Sequence, residues 1–241
     1  MPRIPILALE EIDSTNAEAR RRAEAGQTGP LWITALRQTA GRGRRGRSWE
    51  TGEGNLAATY LFVTDKRPSD AAQISFVAAL AVADLANRCV PPAQVSLKWP
   101  NDLLIAGRKA AGILAESGHM DAGLWVAVGI GVNLAHAPAL SGRPATTFAE
   151  HMRSPPPGPL DALTVLAEAF DRWHGLWNGG GFAPIAEAWI HRAHGIGERC
   201  VARLPNETVE GVAEGLDPDG ALRLRTPDGG LRRITAGDVF F

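Results

Sequence analysis

Cysteine is nearly missing from this sequence: Cys89 and Cys200 are the only two in 241 residues. Two thiols that far apart make neither a disulfide framework nor a metal knuckle, so both read as small buried hydrophobes in a chain suited to a reducing compartment. Charge imbalance is missing too. Lys and Arg number 25 against 26 Asp and Glu, a net charge of -1, so no global field draws the protein to nucleic acid or an anionic membrane. The apolar run in "MPRIPILALEEID" meets acids at once, and no later stretch reads as the roughly 18 uninterrupted apolar residues of a span. These absences predict a soluble, cytoplasmic chain with no membrane or DNA partner. What is present is 45% hydrophobic residues, enough for one large domain or one domain with a small appendage.

The pattern along the chain predicts elements of both kinds. Thr15 and Glu18 have capping-box spacing and Gly26 suits the residue past the end, so a helix is expected over about 16–25. "LWITALRQ" and "NLAATYLFVT" read as strands. Beyond them Ile74, Val77, Leu80 or Ala81, and Leu85 form a helical stripe with Ser69 as its cap. A hairpin turn is expected near 106–108, and "LWVAVGIGVN" is too apolar for a half-exposed strand. After the proline-rich "SPPPGP", the spacing of Leu163, Leu166, Phe170, Trp173 and Trp177 predicts a core-facing helix, and a second is expected over about 183–194. Short β-like runs broken by "LPNE", "DPDG" and "PDGG" then suggest a small β-barrel. The expected fold is α+β: a mixed sheet packed with helices over 1–195, and a barrel over 196–241.

The densest chemistry lies in "QTAGRGRRGRSWE", where Gly41 to Arg47 holds four arginines and three glycines with no acid until Glu50. Glycines let a backbone approach a ligand closely, and arginine forks match carboxylate and phosphate oxygens. Composition alone leaves three readings open: a solvated loop, a site for a small anion, or an RGG-type nucleic-acid segment. Its place between two apolar strands argues against the third. The run lacks the Gly-Lys-Ser/Thr of a Walker A loop, and "VGIGVN" lacks the third glycine of a dinucleotide fingerprint. His191 and His194 have no third ligand nearby in sequence, and "DPDG" lacks the other calcium-loop ligands, so no protein metal site is expected.

"DSTN" at 13–16, "QTAGRGRRGRSW" at 38–49, "KWPNDLL" at 98–104, "RKAAGILAE" at 108–116 and "VGIGVN" at 128–133 together resemble, in order and spacing, the biotin–protein ligases. The likeness covers residues 10–135 closely, and the "GDV" near the end is similar to the small C-terminal barrel of such ligases. The resemblance implies a class II synthetase-like catalytic fold with an SH3-like barrel. It also implies ATP and biotin as substrates, Mg2+ accompanying ATP, and a biotin carboxyl carrier domain as acceptor.

Carried over residue by residue, the resemblance puts Arg42, Gly43, Arg44, Lys109 and Gly112 near the biotin carboxylate and phosphate. Ser14, Thr15, Asn16 and Gln38 fall at the ureido ring, Arg45, Arg47, Trp49 and Asn133 at the nucleotide, and Asp102 beside Lys109 or the acceptor amine. If Thr15 caps the helix, Ser14 and Asn16 are the ligand contacts; Ile113 and Leu114 alternate, so one of the two faces the pocket. Four like charges in a short glycine-rich loop predict a mobile loop that orders on an anion.

Only 12 residues precede "DSTN", which implies a ligase without a repressor's DNA-binding domain, and the stop at Phe241 leaves no basic residue beyond it for ATP. Residues 136–160, the expected cover over the adenylate, follow the pattern loosely. An exposed strand edge can serve an acceptor or a weak homodimer. A lipoate-type ligase is the rival within the same fold, with a long apolar slot in place of the ureido contacts, and an RGG-like nucleic-acid binder the rival outside it.

Overall fold

A computed structural model describes residues 4–138 and 144–241. Part of the expected adenylate cover, residues 139–143, lies outside the described residues. Seven strands form one mixed sheet: β1 (Ile6–Ile12), β2 (Leu31–Gln38), β3 (Leu56–Thr64), β4 (Val95–Lys98), β5 (Asp102–Ile105), β6 (Arg108–Met120) and β7 (Gly123–Val132), in the order β1-β2-β3-β7-β6-β5-β4. Only β1 and β2 run parallel; every other neighbouring pair is antiparallel. The buried run "LWVAVGIGV" is accordingly central, with β3 on one side and β6 on the other.

Alternation along these strands divides the residues between two faces. On one face lies helix α1 (Thr15–Glu24), whose Ala19 and Ala23 pack with Ile33, Leu61, Trp125 and Ala127. The other face carries the larger core, against α2 (Pro68–Ala71), α3 (Ile74–Asn87), α4 (Pro159–Gly180) and α5 (Ala183–Ile190). There Phe170 sits among Trp32 and Tyr60, with ring centroids 5.4 and 4.9 Å away.

Five local expectations are corrected. The cap of α1 is Ser14, whose side chain accepts from the Ala17 N–H, so the helix begins at Thr15. Ser69 does not cap the next helix: Pro68, with its fixed φ, takes the first helical position and Ser69 falls inside the turn. The chain breaks after Ala71, and α3 is buried on more than one stripe, because the sheet, α4 and α5 all pack against it. Finally, α5 stops at Ile190, since the following residues leave to pair with β4: the Leu97 N–H donates to the Arg192 carbonyl at 2.7 Å and the His194 N–H to the Leu97 carbonyl at 2.8 Å. The stretch Pro68–Asn87 is also long and apolar enough by composition to cross a bilayer, contrary to expectation, yet most of it is core.

The last five strands, β8 (Arg199–Arg203), β9 (Thr208–Leu216), β10 (Leu222–Arg225), β11 (Leu231–Ile234) and β12 (Asp238–Phe240), form an antiparallel sheet in the order β11-β10-β9-β8-β12. It occupies the place of the expected barrel. Trp99 ties it to the large sheet by donating from Nε1 to the Gly220 carbonyl at 3.1 Å.

Phe170→Ala removes the ring by which α4 packs on Trp32 and Tyr60 of the sheet. Its unfolding free energy, read from denaturant titration, is expected to fall by about 3–5 kcal/mol.

Candidate active site

One cavity of about 610 Å³ opens on the α1 face of the large sheet. Its floor is bare by construction. A Cβ on Gly129 would lie 2.2 Å from Asn16 Oδ1, and one on Gly131 would lie 2.3 Å from the Trp49 ring. The two glycines of "VGIGVN" therefore serve close packing, here of Asn16 and Trp49. Gly112, opposite Gly131 on β6, leaves space for Trp49 and for the Lys109 amine, 3.0 and 3.2 Å from a built Cβ.

Lys109 reaches this face through a bulge. Leu103 pairs with Ala111 but Leu104 pairs with Lys109, so one extra residue, Ala110, interrupts the alternation of β6. Without it Lys109 and Gly112 would point to opposite faces. Parity also places Gly112 and Leu114 together on the cavity side while Ile113 packs into the larger core; all three border the cavity. The hairpin before Lys109 turns through Ala106 and Gly107, both at positive φ, as the two-residue primed turn requires. Asp102, across from Gly112, meets Lys109 Nζ at 2.6 Å.

The arginine loop closes over one end. Arg42 bridges to Ser48, the Gly43 N–H donates to the Arg47 carbonyl at 2.7 Å, and the Trp49 N–H donates to the Gly41 carbonyl at 2.9 Å. Arg44 points inward and donates to Asn101 Oδ1 at 3.2 Å; Asn101 is in turn held by the Ile113 carbonyl at 2.7 Å. Burial, and then the neighbouring Arg45 charge, lowers the Arg44 pKa from its ordinary value, though a guanidinium stays charged at any working pH. Arg47 borders the cavity while Arg45, at φ 57°, does not; both reach Asp238 of β12, Arg47 at 2.9 Å and Arg45 at 3.4 Å. The mutual repulsion expected of the loop is thus offset by a carboxylate from the small sheet.

At the other end Ser14, Thr15, Asn16 and Gln38 converge. Gln38 Oε1 accepts from the Thr15 N–H at 2.8 Å, and Asn16 Nδ2 donates to the Leu114 carbonyl and to Glu116 at 3.2 and 2.7 Å. Asp13 anchors the turn by accepting from the Ser14 N–H, and its hydrogen bond to Arg21 lowers its pKa to about 2. Asn133 lies at the far wall, with Nδ2 on the Thr146 carbonyl and a buried Oδ1 that meets no partner among the described residues.

Every biotin- or nucleotide-site residue expected from the sequence except Arg45 borders this one cavity. Sequence reasoning missed Asp238, His194, Phe240 and Phe241, which the small sheet and its linker bring to the mouth, and it missed Thr59 and Glu116 behind the wall. Only the "GDV" pattern hinted at the first group. Among the described residues five cations, Arg42, Arg44, Arg47, Lys98 and Lys109, line the cavity against the carboxylates of Glu50, Asp102 and Asp238. In a chain of net charge -1 this is a local excess of positive charge, fit for a ligand with more than one anionic group. Among the described residues no cluster of three or more His, Cys, Asp or Glu gathers as a metal site.

Comparison with known proteins agrees with this geometry. Residues 8–133 match the biotin/lipoate A/B protein ligase family, and residues 195–241 match the biotin protein ligase C terminal domain. The biotin–[acetyl-CoA-carboxylase] ligase of Paracoccus denitrificans is 46% identical, over 97% of this chain and 99% of its own length. The Mycobacterium tuberculosis enzyme of the same name is 35% identical, over 95% of this chain and 86% of its own. Among solved structures, Aquifex aeolicus biotin protein ligase in complex with biotin and ATP superposes with a TM-score of 0.82 at 25% identity, covering 98% of this chain and 97% of that one. The Leishmania major biotin protein ligase in complex with biotinyl-5-AMP gives 0.66 at 26% identity, covering 96% and 99%. With the family match over residues 8–133 and the Paracoccus relative 46% identical over nearly the whole length of both chains, the chain belongs to the biotin/lipoate A/B protein ligase family.

Proposed function

We propose that this protein is an ATP-dependent biotin–protein ligase, which forms biotinyl-5′-AMP and then passes the biotinyl group to a lysine of a biotin carboxyl carrier domain. The observation that carries the reading is the polarity of the cavity: neutral hydrogen-bonding groups at the α1 end and a cluster of cations at the loop end. Biotin has the same polarity, with a neutral cyclic urea at one end and a carboxylate at the other. Lipoate has an anion but no urea, and a lipoate ligase would have little use for Ser14, Thr15 and Gln38.

In the first step a biotin carboxylate oxygen attacks the α-phosphorus of ATP, the bond to the β-phosphate breaks, and pyrophosphate leaves. Both reactants are anions, so their approach needs positive charge fixed in place beforehand. Arg42 and Arg44 supply it at the carboxylate and phosphate, with Gly43 giving backbone access, and Arg47 and Arg45 face the polyphosphate once released from Asp238. Lys109, a compact charge held by Asp102, sits between carboxylate and α-phosphate. Mg2+ enters with ATP as part of that substrate. Trp49 covers the adenylate, and the open Oδ1 of Asn133 accepts from the adenine amino group.

In the second step the acceptor amine attacks the acyl carbon, the bond to the phosphate oxygen breaks, AMP leaves, and the amine's proton must go elsewhere. A lysine of pKa about 10.4 is neutral in roughly one molecule in two thousand at pH 7, a deficit that the reactive mixed anhydride offsets. On this reading Asp102, the carboxylate paired with Lys109, takes that proton.

Two experiments test this reading. Exchange of labelled pyrophosphate into ATP is expected with biotin and not with lipoate, and Arg42→Ala should lower it about a hundredfold; exchange with lipoate alone would move the protein to the sister activity, and none with either would overturn the reading. Asp102→Asn, given preformed biotinyl-5′-AMP and a carrier domain, should transfer about a hundredfold more slowly. Unchanged transfer would leave Asp102 as the holder of Lys109 and nothing more.

A further inference from the structure

Behind the α1 end of the cavity runs a chain of hydrogen bonds that begins at Glu116 and Thr59, outside the cavity lining, and ends at Thr15 and Gln38 within it. Glu116 Oε2 and the Leu114 carbonyl both face Asn16 Nδ2, at 2.7 and 3.2 Å. Neither partner donates, so they fix which end of the Asn16 amide is nitrogen and leave Oδ1 facing Thr59 Oγ1 at 2.7 Å. Thr59 is fully buried on β3, and its Oγ1 is also 2.8 Å from Thr15 Oγ1. A hydroxyl has one proton. Since Asn16 Oδ1 accepts only, the Thr59 proton goes there, and the contact between the two threonines must then be donated by Thr15.

Thr15 has a second claim on its proton, Gln38 Oε1 at 3.1 Å. That oxygen is itself fixed, because it accepts from the Thr15 N–H while Gln38 Nε2 donates to Thr51 Oγ1 at 3.0 Å. The contact to Thr59, at 2.8 Å, is the shorter and the Gln38 oxygen already accepts the Thr15 N–H, so the Thr15 proton goes to Thr59 and only a lone pair faces the cavity. Ser14 is the reverse case. Its Oγ accepts from the Ala17 N–H at 3.5 Å, and among the described residues its proton has no protein acceptor.

We infer that Thr59 and Glu116, neither of which borders the cavity, are positioning residues that set the hydrogen-bond polarity of the binding site. Through Asn16 they commit Thr15 to accept, beside a Ser14 whose oxygen caps α1 and whose proton is left to donate, so the occupant must offer an N–H beside a C=O. A cyclic urea does so, and a dithiolane ring does neither. Sites built to hydrogen-bond a group discriminate strongly against analogues that lack it, since the buried partner is then left unpaired. The same chain makes Asn16 a link and not a ligand donor: both of its N–H groups are already used.

This inference rests on the biotin reading, and the test separates the two. Pyrophosphate exchange is measured for wild type, Thr59→Val, Thr59→Ser and Glu116→Ala with biotin, with biotin methylated on a ureido nitrogen, and with desthiobiotin, which keeps the urea and lacks the sulfur. Thr59→Val, nearly isosteric, should raise the biotin KM about tenfold or more while kcat and the ATP KM change by less than about twofold, and Thr59→Ser should restore the KM. The penalty that wild type imposes on the N-methylated analogue should shrink in Thr59→Val by a similar factor, whereas the penalty on desthiobiotin should not. Glu116→Ala, on the half-buried side of the chain, should raise the biotin KM about threefold or more with the ATP KM unchanged, which keeps the inference testable if Thr59→Val fails to fold. A biotin KM within about twofold of wild type in both variants, or an undiminished N-methyl penalty, overturns the inference and leaves the biotin reading standing. Wild type without biotin-dependent exchange overturns both.

Discussion

A carboxylate and a phosphate that must form a bond repel each other, and most of what distinguishes this structure follows from cancelling that repulsion without closing the space where the bond forms. In water two like charges at 4 Å oppose each other by only about 1 kcal/mol, but in a site from which water is displaced the opposition is several-fold larger. Fixed cations are therefore needed before the reactants arrive. Arg44 is held by Asn101, Lys109 by Asp102, and the loop that carries the arginines is closed by its own backbone bonds. On the proposed reading neither Arg44 nor Lys109 has to be reorganised at the moment of reaction, and preorganised charge is the form in which charge assists most.

Space is the second requirement, and it conflicts with the first, since cations need long side chains and the sheet beneath is the centre of the fold. Glycine resolves the conflict on one face only. Gly112, Gly129 and Gly131 clear the α1 face of β6 and β7, while their neighbours Ile113, Ile130 and Val132 fill the opposite face and keep the strands in the larger core. The bulge at Ala110 then returns a charge to the cleared face at one point. Stability and reactivity are thus assigned to opposite sides of the same two strands.

The small sheet takes part in the same balance of charge. Asp238 stands on β12, an edge strand of that sheet, and receives both Arg45 and Arg47. Exposed pairs of this kind contribute little to stability, on the order of 0–1 kcal/mol. Their weakness is useful. A polyphosphate can displace a single carboxylate from two guanidiniums at small cost, and the loop is meanwhile spared the repulsion of four uncompensated arginines.

How much of this was legible beforehand depended on the distance over which each feature is decided. Local rules placed the hairpin at Ala106–Gly107, the helix of Leu163 to Trp177 and the strands around the arginine loop, because turn chemistry and periodicity act within a few residues. They failed at Ser69, where the proline beside it was a stronger start signal, and at His194, where a backbone pairing with Leu97 ended the helix early. The site residues were legible as a set of motifs, since five short patterns in register carry more information than any of them alone. Their roles were less so. Parity along β6 would have turned Lys109 away from the ligand, and only the register shift against β5 reverses it. Asn16 reads as a ligand contact in "DSTN" until Glu116, a hundred residues later, takes up its amide. A motif names the atoms that meet; which of them gives the proton is decided by neighbours that the motif does not contain.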